Sequence, residues 1–288
     1  MYHRNCQDGL AHLGLSPLSR AKLRDDKPVK KDEGVVVSQE VSTFRFMGGT
    51  LIWLDVISSI TAGTAPRLLS YHPGVLASNS NTALEKLMGC RNWAMRQIGR
   101  IAALHGQRRQ ARQAGRFDEA EFYQNVVDIR NEIEFGLAGE ALDHFGISSG
   151  GTLELTNALP QPITLVTRMF AWMATVYLHL ITSGFQDLEH LNTPINGALN
   201  LLQTQIPAEL IPALVAPLFI IGCVAREGAE QEFFRTIHAS PRYRESLFKH
   251  RAQVSMTIEE VWSRRRTESG LAWDDVLGLS QVRNLLLL

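Results

Sequence analysis

Residues Ile163–Ile181 read "ITLVTRMFAWMATVYLHLI", and the reading of this apolar run decides the fold. It is too long for a strand and has about the length of a bilayer span. Arg168 and His179 interrupt it, however, and a charge at mid-membrane is costly. The run therefore predicts a buried helix over Pro162–Ser183, central to a soluble fold, and no membrane partner.

Working outward, the flanks are helical too. Downstream, two shorter helices are expected around Thr193–Gln205 and Ala208–Val224. Pro212 is tolerable early in the second, whereas Pro217 should kink or break it. Ser240-Pro241, a cap followed by a proline, opens a final long helix to Arg266, and "LAWDDVLGL" closes the chain's fold. Upstream, "DEAEFYQNVVDIRNEIEFGLAGEAL" has an acidic start that suits the helix dipole. "GQRRQARQAGR" (Gly106–Arg116) reads as a basic connector. Before it, helix-period residues run through Leu84, Leu87, Met88, Met95, Ile98, Ile101 and Ala102, with Asn81 or Thr82 as the cap.

Residues 70–80 and Ser148–Pro162 read as loops. The stretch "GGTLIWLDVISSITAGTAPRLL" (Gly48–Leu69) forms a helix that Gly63 and Pro66 end. Residues 1–42, with the cluster "KLRDDKPVKKDE", hold too few apolar residues to repay ordering and read as a flexible polar arm. No strand-like alternation flanked by hairpin turns occurs. The expected class is all-α, a multi-helix globular array of packed antiparallel helices over residues 43–288.

Lysine plus arginine and aspartate plus glutamate number 29 each among the 288 residues. A chain with no net charge is not drawn to nucleic acid or anionic membranes by its overall field. The three cysteines, Cys6, Cys90 and Cys223, are scattered and odd in number, which fits neither a disulfide framework nor paired zinc ligands. A reducing compartment follows. The polar N-terminus is unlike a signal peptide.

No catalytic or metal-binding signature survives inspection, and no cofactor is implied. "SSGG" (Ser148–Gly151) lacks the strand–turn–helix setting of a nucleophile elbow. Glu140 and His144 lie one helical turn apart, which is ordinarily a surface contact. Arginines 96, 100, 108, 109, 112 and 116 have no interleaved aromatics for base stacking; they read as a solvated face. So does Arg264–Arg266, with a weak nuclear-import patch as its other reading. Asp55 is a lone acid in an apolar helix, so it must pair with a cation or accept hydrogen bonds. Bracing between helices is the first reading. The second is a ligand pocket formed by Trp53, Asp55, Trp93, Arg168 and Trp172, side chains that at this spacing also suit a core.

Five segments in order carry a resemblance: Phe44–Leu69; "LEKLMGCRNWAMRQIGRIAALHGQ" with its Gly-Cys-x-x-Trp; "VTRMFAWMATVYLHLITSG"; "LVAPLFIIGCVAREGAEQEFFR" with its Pro-x-x-x-x-Gly-Cys; and "IEEVWSRRRTESGLAWDDVL". Together they resemble the fungal-specific transcription factor domain, the C-terminal effector region of zinc-cluster regulators. The resemblance implies an all-helical fold, a nuclear or else cytoplasmic protein, and control of secondary-metabolite or stress genes. It transfers no catalytic residue, and it implies that Cys90 and Cys223 are small buried core residues. Such regulators begin with six cysteines binding two zinc ions, which set a helix in the DNA major groove; here only Cys6 precedes the helical region. The expectation is an effector region with no direct DNA binding. It would act through a protein partner (a zinc-cluster regulator or itself) or a small-molecule effector. The other reading is a biosynthetic-cluster protein that shapes or binds a metabolite on the same scaffold.

Overall fold

A computed structural model describes residues 39–77, 84–144, 161–244, 250–282 and 285–287. Its main helices are α1 (Gln39–Ala62), α2 (Asn92–Gln113), α3 (Glu119–His144), α4 (Pro162–Ser183), α5 (Asn192–Thr204), α6 (Val215–Val224), α7 (Ala229–Ala239), α8 (His250–Thr267) and α9 (Trp273–Leu277). Among the described residues there is no strand, so the all-α expectation holds.

The apolar window becomes α4, the axis of the fold. It packs against α2, α3, α5 and α6, and α9 closes on it. By length and composition it could cross a membrane, yet 72% of its most apolar stretch is buried inside the protein. Its two polar interruptions are absorbed locally. The Arg168 guanidinium lies over the Trp172 ring, 5.1 Å from its centre, and His179 donates to the Gln186 carbonyl at 2.7 Å.

Behind α4 sits α6, all ten of whose residues are buried; α8 covers its far side. Trp262 of α8 donates its indole N–H to the Gly222 carbonyl at 2.8 Å. Cys90 and Cys223 are both buried, and burial pushes both thiols up. A buried thiol of raised pKa is a small apolar residue in effect, not a nucleophile.

Several boundaries differ from expectation for identifiable reasons. The break expected at Pro217 falls earlier: Ala208–Leu214 is a 3₁₀ turn, and Pro217 lies in the first turn of α6, where its missing N–H would have had no helical partner anyway. Gly106–Arg116 is not a connector up to Gln113, because α2 continues that far. Helix α1 begins at Gln39, within the stretch assigned to the arm. Pro241–Arg244 is helical and α8 resumes at His250; the residues between lie outside the described ones. So do residues 1–38, with Cys6, as well as the caps at Asn81 and Thr82 and the Ser148–Gly151 loop.

Candidate functional site

The acid in α1 has a definite task. Asp55 Oδ1 accepts the Arg67 N–H at 2.9 Å and Oδ2 accepts that of Leu68 at 2.7 Å. The carboxylate thereby folds the chain beyond Gly63 and Pro66 back onto α1. Buried His72 stands 3.8 Å from Oδ2 and packs over Gly99 of α2. Burial lowers the His72 pKa, with Asp55 opposing. Asp55 thus engages the loop leaving its own helix, not Arg168. Replacing Asp55 with alanine removes the acceptor of two backbone donors and is expected to cost about 2 kcal/mol. Chemical denaturation checks this, and a loss below ~0.5 kcal/mol would show the loop holds without it.

Three of the other candidates converge. Glu140 of α3 is buried at 2% exposure and accepts the Trp93 indole N–H at 3.1 Å; Arg91 reaches the same oxygen at 3.3 Å. Arg168 is partly buried, which lowers its pKa, and the nearby Glu140 charge opposes that shift. Trp93 packs on Gly136 of α3, where a Cβ would overlap the ring. Trp172 in turn leans on Gly197 of α5, where a Cβ would come within 2.6 Å of its ring. Trp53 lies on α1, half-buried against the core.

Beside this cluster, α3, α4 and the start of α5 enclose a groove of about 680 Å³. Arg130, Glu134, Leu137, Trp172, His179 and His190 contribute to its walls. Burial lowers the His179 pKa against the hydrogen bond to Gln186, which favours a neutral ring. Asp187, also on the lining, holds a left-handed φ of 51°, a conformation that aspartate tolerates better than most residues. An aromatic wall with polar groups of both signs suits a mixed polar–aromatic small molecule or a short peptide segment.

The strongest polar network was not foreseen. His105, fully buried, meets Asp274 Oδ1 through Nε2 at 2.9 Å. Arg108 meets Oδ2 at 3.1 Å and Arg109 meets Oδ1 at 3.3 Å. Tyr177 OH lies 3.4 Å from His105 Nδ1, a pattern in which the hydroxyl donates and His105 carries its proton on Nε2. Arg108 also donates to the Ile181 carbonyl and Arg109 to that of Gly63 at 2.9 Å. One carboxylate therefore ties α9 to α2, while its arginines reach α4 and the end of α1. Tyr177, the hydroxyl of the chain, is fully buried and burial raises its pKa, so the arrangement is a clasp.

The basic runs are also engaged. Arg96 and Arg100 pair with Glu132 at 3.0 and 2.6 Å, and Arg112 lies over Phe117. With Arg108 and Arg109 on Asp274, the solvated basic face expected along α2 is largely a set of internal ties. Arg265 likewise departs from the expected solvated run. It donates to the carbonyls of Cys223 and Ala225 at 2.8 and 2.9 Å, closing the end of α6. Glu140 is buried rather than on the helix surface, and the side chain of His144 lies outside the described residues. Among the described residues, no three His, Cys, Asp or Glu side chains gather as metal ligands.

The chain matches the model of the fungal specific transcription factor domain over residues 2–287, which takes in the stretch set apart above as an arm. It is 48% identical over 288 residues to the pestheic acid cluster transcriptional regulator 3 of Pestalotiopsis fici, covering 100% of this chain and 51% of that protein. Transcription factor dibT of Pestalotiopsis microspora is 29% identical, covering 83% of this chain and 40% of its own. The trichothecene biosynthesis transcription regulator TRI10 of Fusarium sporotrichioides is 24% identical, covering 85% and 55%. The chain thus spans about half the length of these curated relatives. No solved structure matches it. With the family match running over nearly its whole length, this chain belongs to the fungal-specific transcription factor domain family.

Proposed function

We propose that this chain is the effector region of a transcription regulator that acts in the nucleus on a secondary-metabolite gene cluster. The observation that carries the reading is the 48% identity along all 288 residues to a protein named as a cluster transcriptional regulator. The geometry supports it in kind: buried Glu140 and His105 and part-buried Asp274 are held in structural ties. The groove between α3 and α4 is where a small-molecule effector or a segment of a protein partner would engage. Such a partner is a zinc-cluster regulator or a second copy of the chain.

Gene deletion, with transcripts and metabolites measured together, tests the function. Transcripts of one biosynthetic cluster are expected to fall, with its product lost and no intermediate accumulating. Normal transcripts with an accumulated intermediate would place the protein in the chemistry of the pathway and overturn the reading.

A further inference from the structure

The run "SRRRTESGL" (Ser263–Leu271) is only partly absorbed by the fold. Arg265 closes α6, and Arg264 pairs with Glu260 at 3.0 Å and Glu268 at 3.9 Å. Arg266 and the Glu268–Gly270 turn stay exposed. Ser269 stands in that turn, one residue before Gly270 at φ +83°. It follows Arg266 by three residues and Arg264 by five. Ser269, Arg265 and Arg266 all line one groove of about 340 Å³, whose walls also carry Glu227 and Glu268.

We propose that Ser269 is a phosphorylation site for a serine kinase that recognises arginine three and five residues before the acceptor. Such kinases read substrates through charge pattern, acidic residues in their groove pairing with the substrate's arginines. Ser269 Oγ attacks the γ-phosphorus of ATP; the bond to the β–γ bridging oxygen breaks, and ADP and the hydroxyl proton leave. The turn meets what a kinase requires, since the acceptor is exposed and lies beyond the helix, whose last residues fray most easily. Thr267 is the competing hydroxyl, but it lies in the last turn of α8, bonded to the carbonyls of Ser263 and Arg264 at 3.2 and 3.3 Å. A phosphate there would sit at the negative end of the helix dipole. On Ser269 it enters the groove shared with Arg265 and Arg266, where guanidinium groups supply charge-assisted hydrogen bonds.

The test treats the full chain with protein kinase B, a serine kinase that selects arginine three and five residues before its acceptor, and ATP, and maps phosphate by mass spectrometry. One phosphate per chain is expected, on Ser269. Ser269→Ala should cut incorporation at least about tenfold and Arg266→Gln should lower kcat/KM by a similar factor, while Thr267→Ala leaves both near wild type. Phosphorus NMR should show the second phosphoserine pKa below its free value of about 6, returning toward it in a chain phosphorylated first and carrying Arg266→Gln. Phosphate on Thr267 or elsewhere, or incorporation only after the chain is unfolded, would overturn the proposal.

Discussion

Asp274→Ala is expected to destabilise the fold by about 3 kcal/mol, read as a lower urea midpoint. The loss arises less from the contacts removed than from the charge left behind. Arg108 is buried at 6% exposure, and without Asp274 it keeps the Ile181 carbonyl as its acceptor among the described residues. A buried guanidinium stripped of its carboxylate carries a desolvation cost that water cannot offset. The figure is placed at the low end for such deletions because Asp274 is about one-third exposed, where solvent screens part of the interaction. Asp274→Asn keeps an oxygen for the His105 N–H and should lose less.

The acid side of the stability curve provides an independent measure. The hydrogen bond from His105, with the charge and hydrogen bond of Arg108, holds the Asp274 carboxyl down at about 2, against 3.8 in an unstructured chain. A depressed carboxyl stabilises the fold fully above its unfolded pKa and loses that contribution as pH falls through the folded value. Asp274 should therefore cost stability between about pH 4 and pH 2. Burial lowers the His105 pKa below 6.5, so the unfolded chain takes up a proton that the native ring refuses, and stability declines as pH drops below 6.5. Wild type should show both acid-side losses. Asp274→Ala should lose the lower one and keep the upper, since His105 without a carboxylate is harder still to protonate. An unchanged profile in the variant would show that Asp274 does not titrate as part of the clasp.

How much of this was legible beforehand depends on the distance over which a residue finds its partners. Helix α4 could be read because its signal is local: length, apolarity, and two polar residues whose needs a soluble interior can meet. The clasp could not, because His105 and Asp274 are 169 residues apart and neither sequence neighbourhood marks its residue as special. Asp55 was intermediate. Burial alone required an acceptor role, but the donors, Arg67 and Leu68, belong to a loop whose course depends on Gly63 and Pro66 together. The triple arginine was misread for a simpler reason. Consecutive residues on a helix point about 100° apart, so a run of like charges must turn one member inward, and here it is Arg265. Trp53, Asp55, Trp93, Arg168 and Trp172 read as a group. Trp93 and Arg168 lie beside Glu140 and Trp172 stacks on Arg168, whereas Asp55 is bonded to its own loop. Glu140 itself was assigned to the surface.

That residue, Glu140, carries the other large effect. Glu140→Ala is expected to cost about 3 kcal/mol, since it removes the acceptor of the Trp93 indole N–H and the carboxylate beside half-buried Arg168. Glu140→Gln retains an oxygen for Trp93 and loses only the charge; a loss nearer 1 kcal/mol is expected. The comparison separates the two contributions. Equal losses would mean that charge dominates, whereas a near-neutral glutamine variant would mean that the indole hydrogen bond does. The consequence reaches the groove, because Arg168 stacks on Trp172 and Trp172 is part of the groove wall. Without the Glu140 charge Arg168 loses a favourable electrostatic neighbour, and a ligand seated against Trp172 should bind more weakly in the glutamine variant although the fold persists. A glutamine variant that keeps both wild-type stability and wild-type engagement of its effector would separate the cluster from the groove and confine Glu140 to the indole hydrogen bond with Trp93.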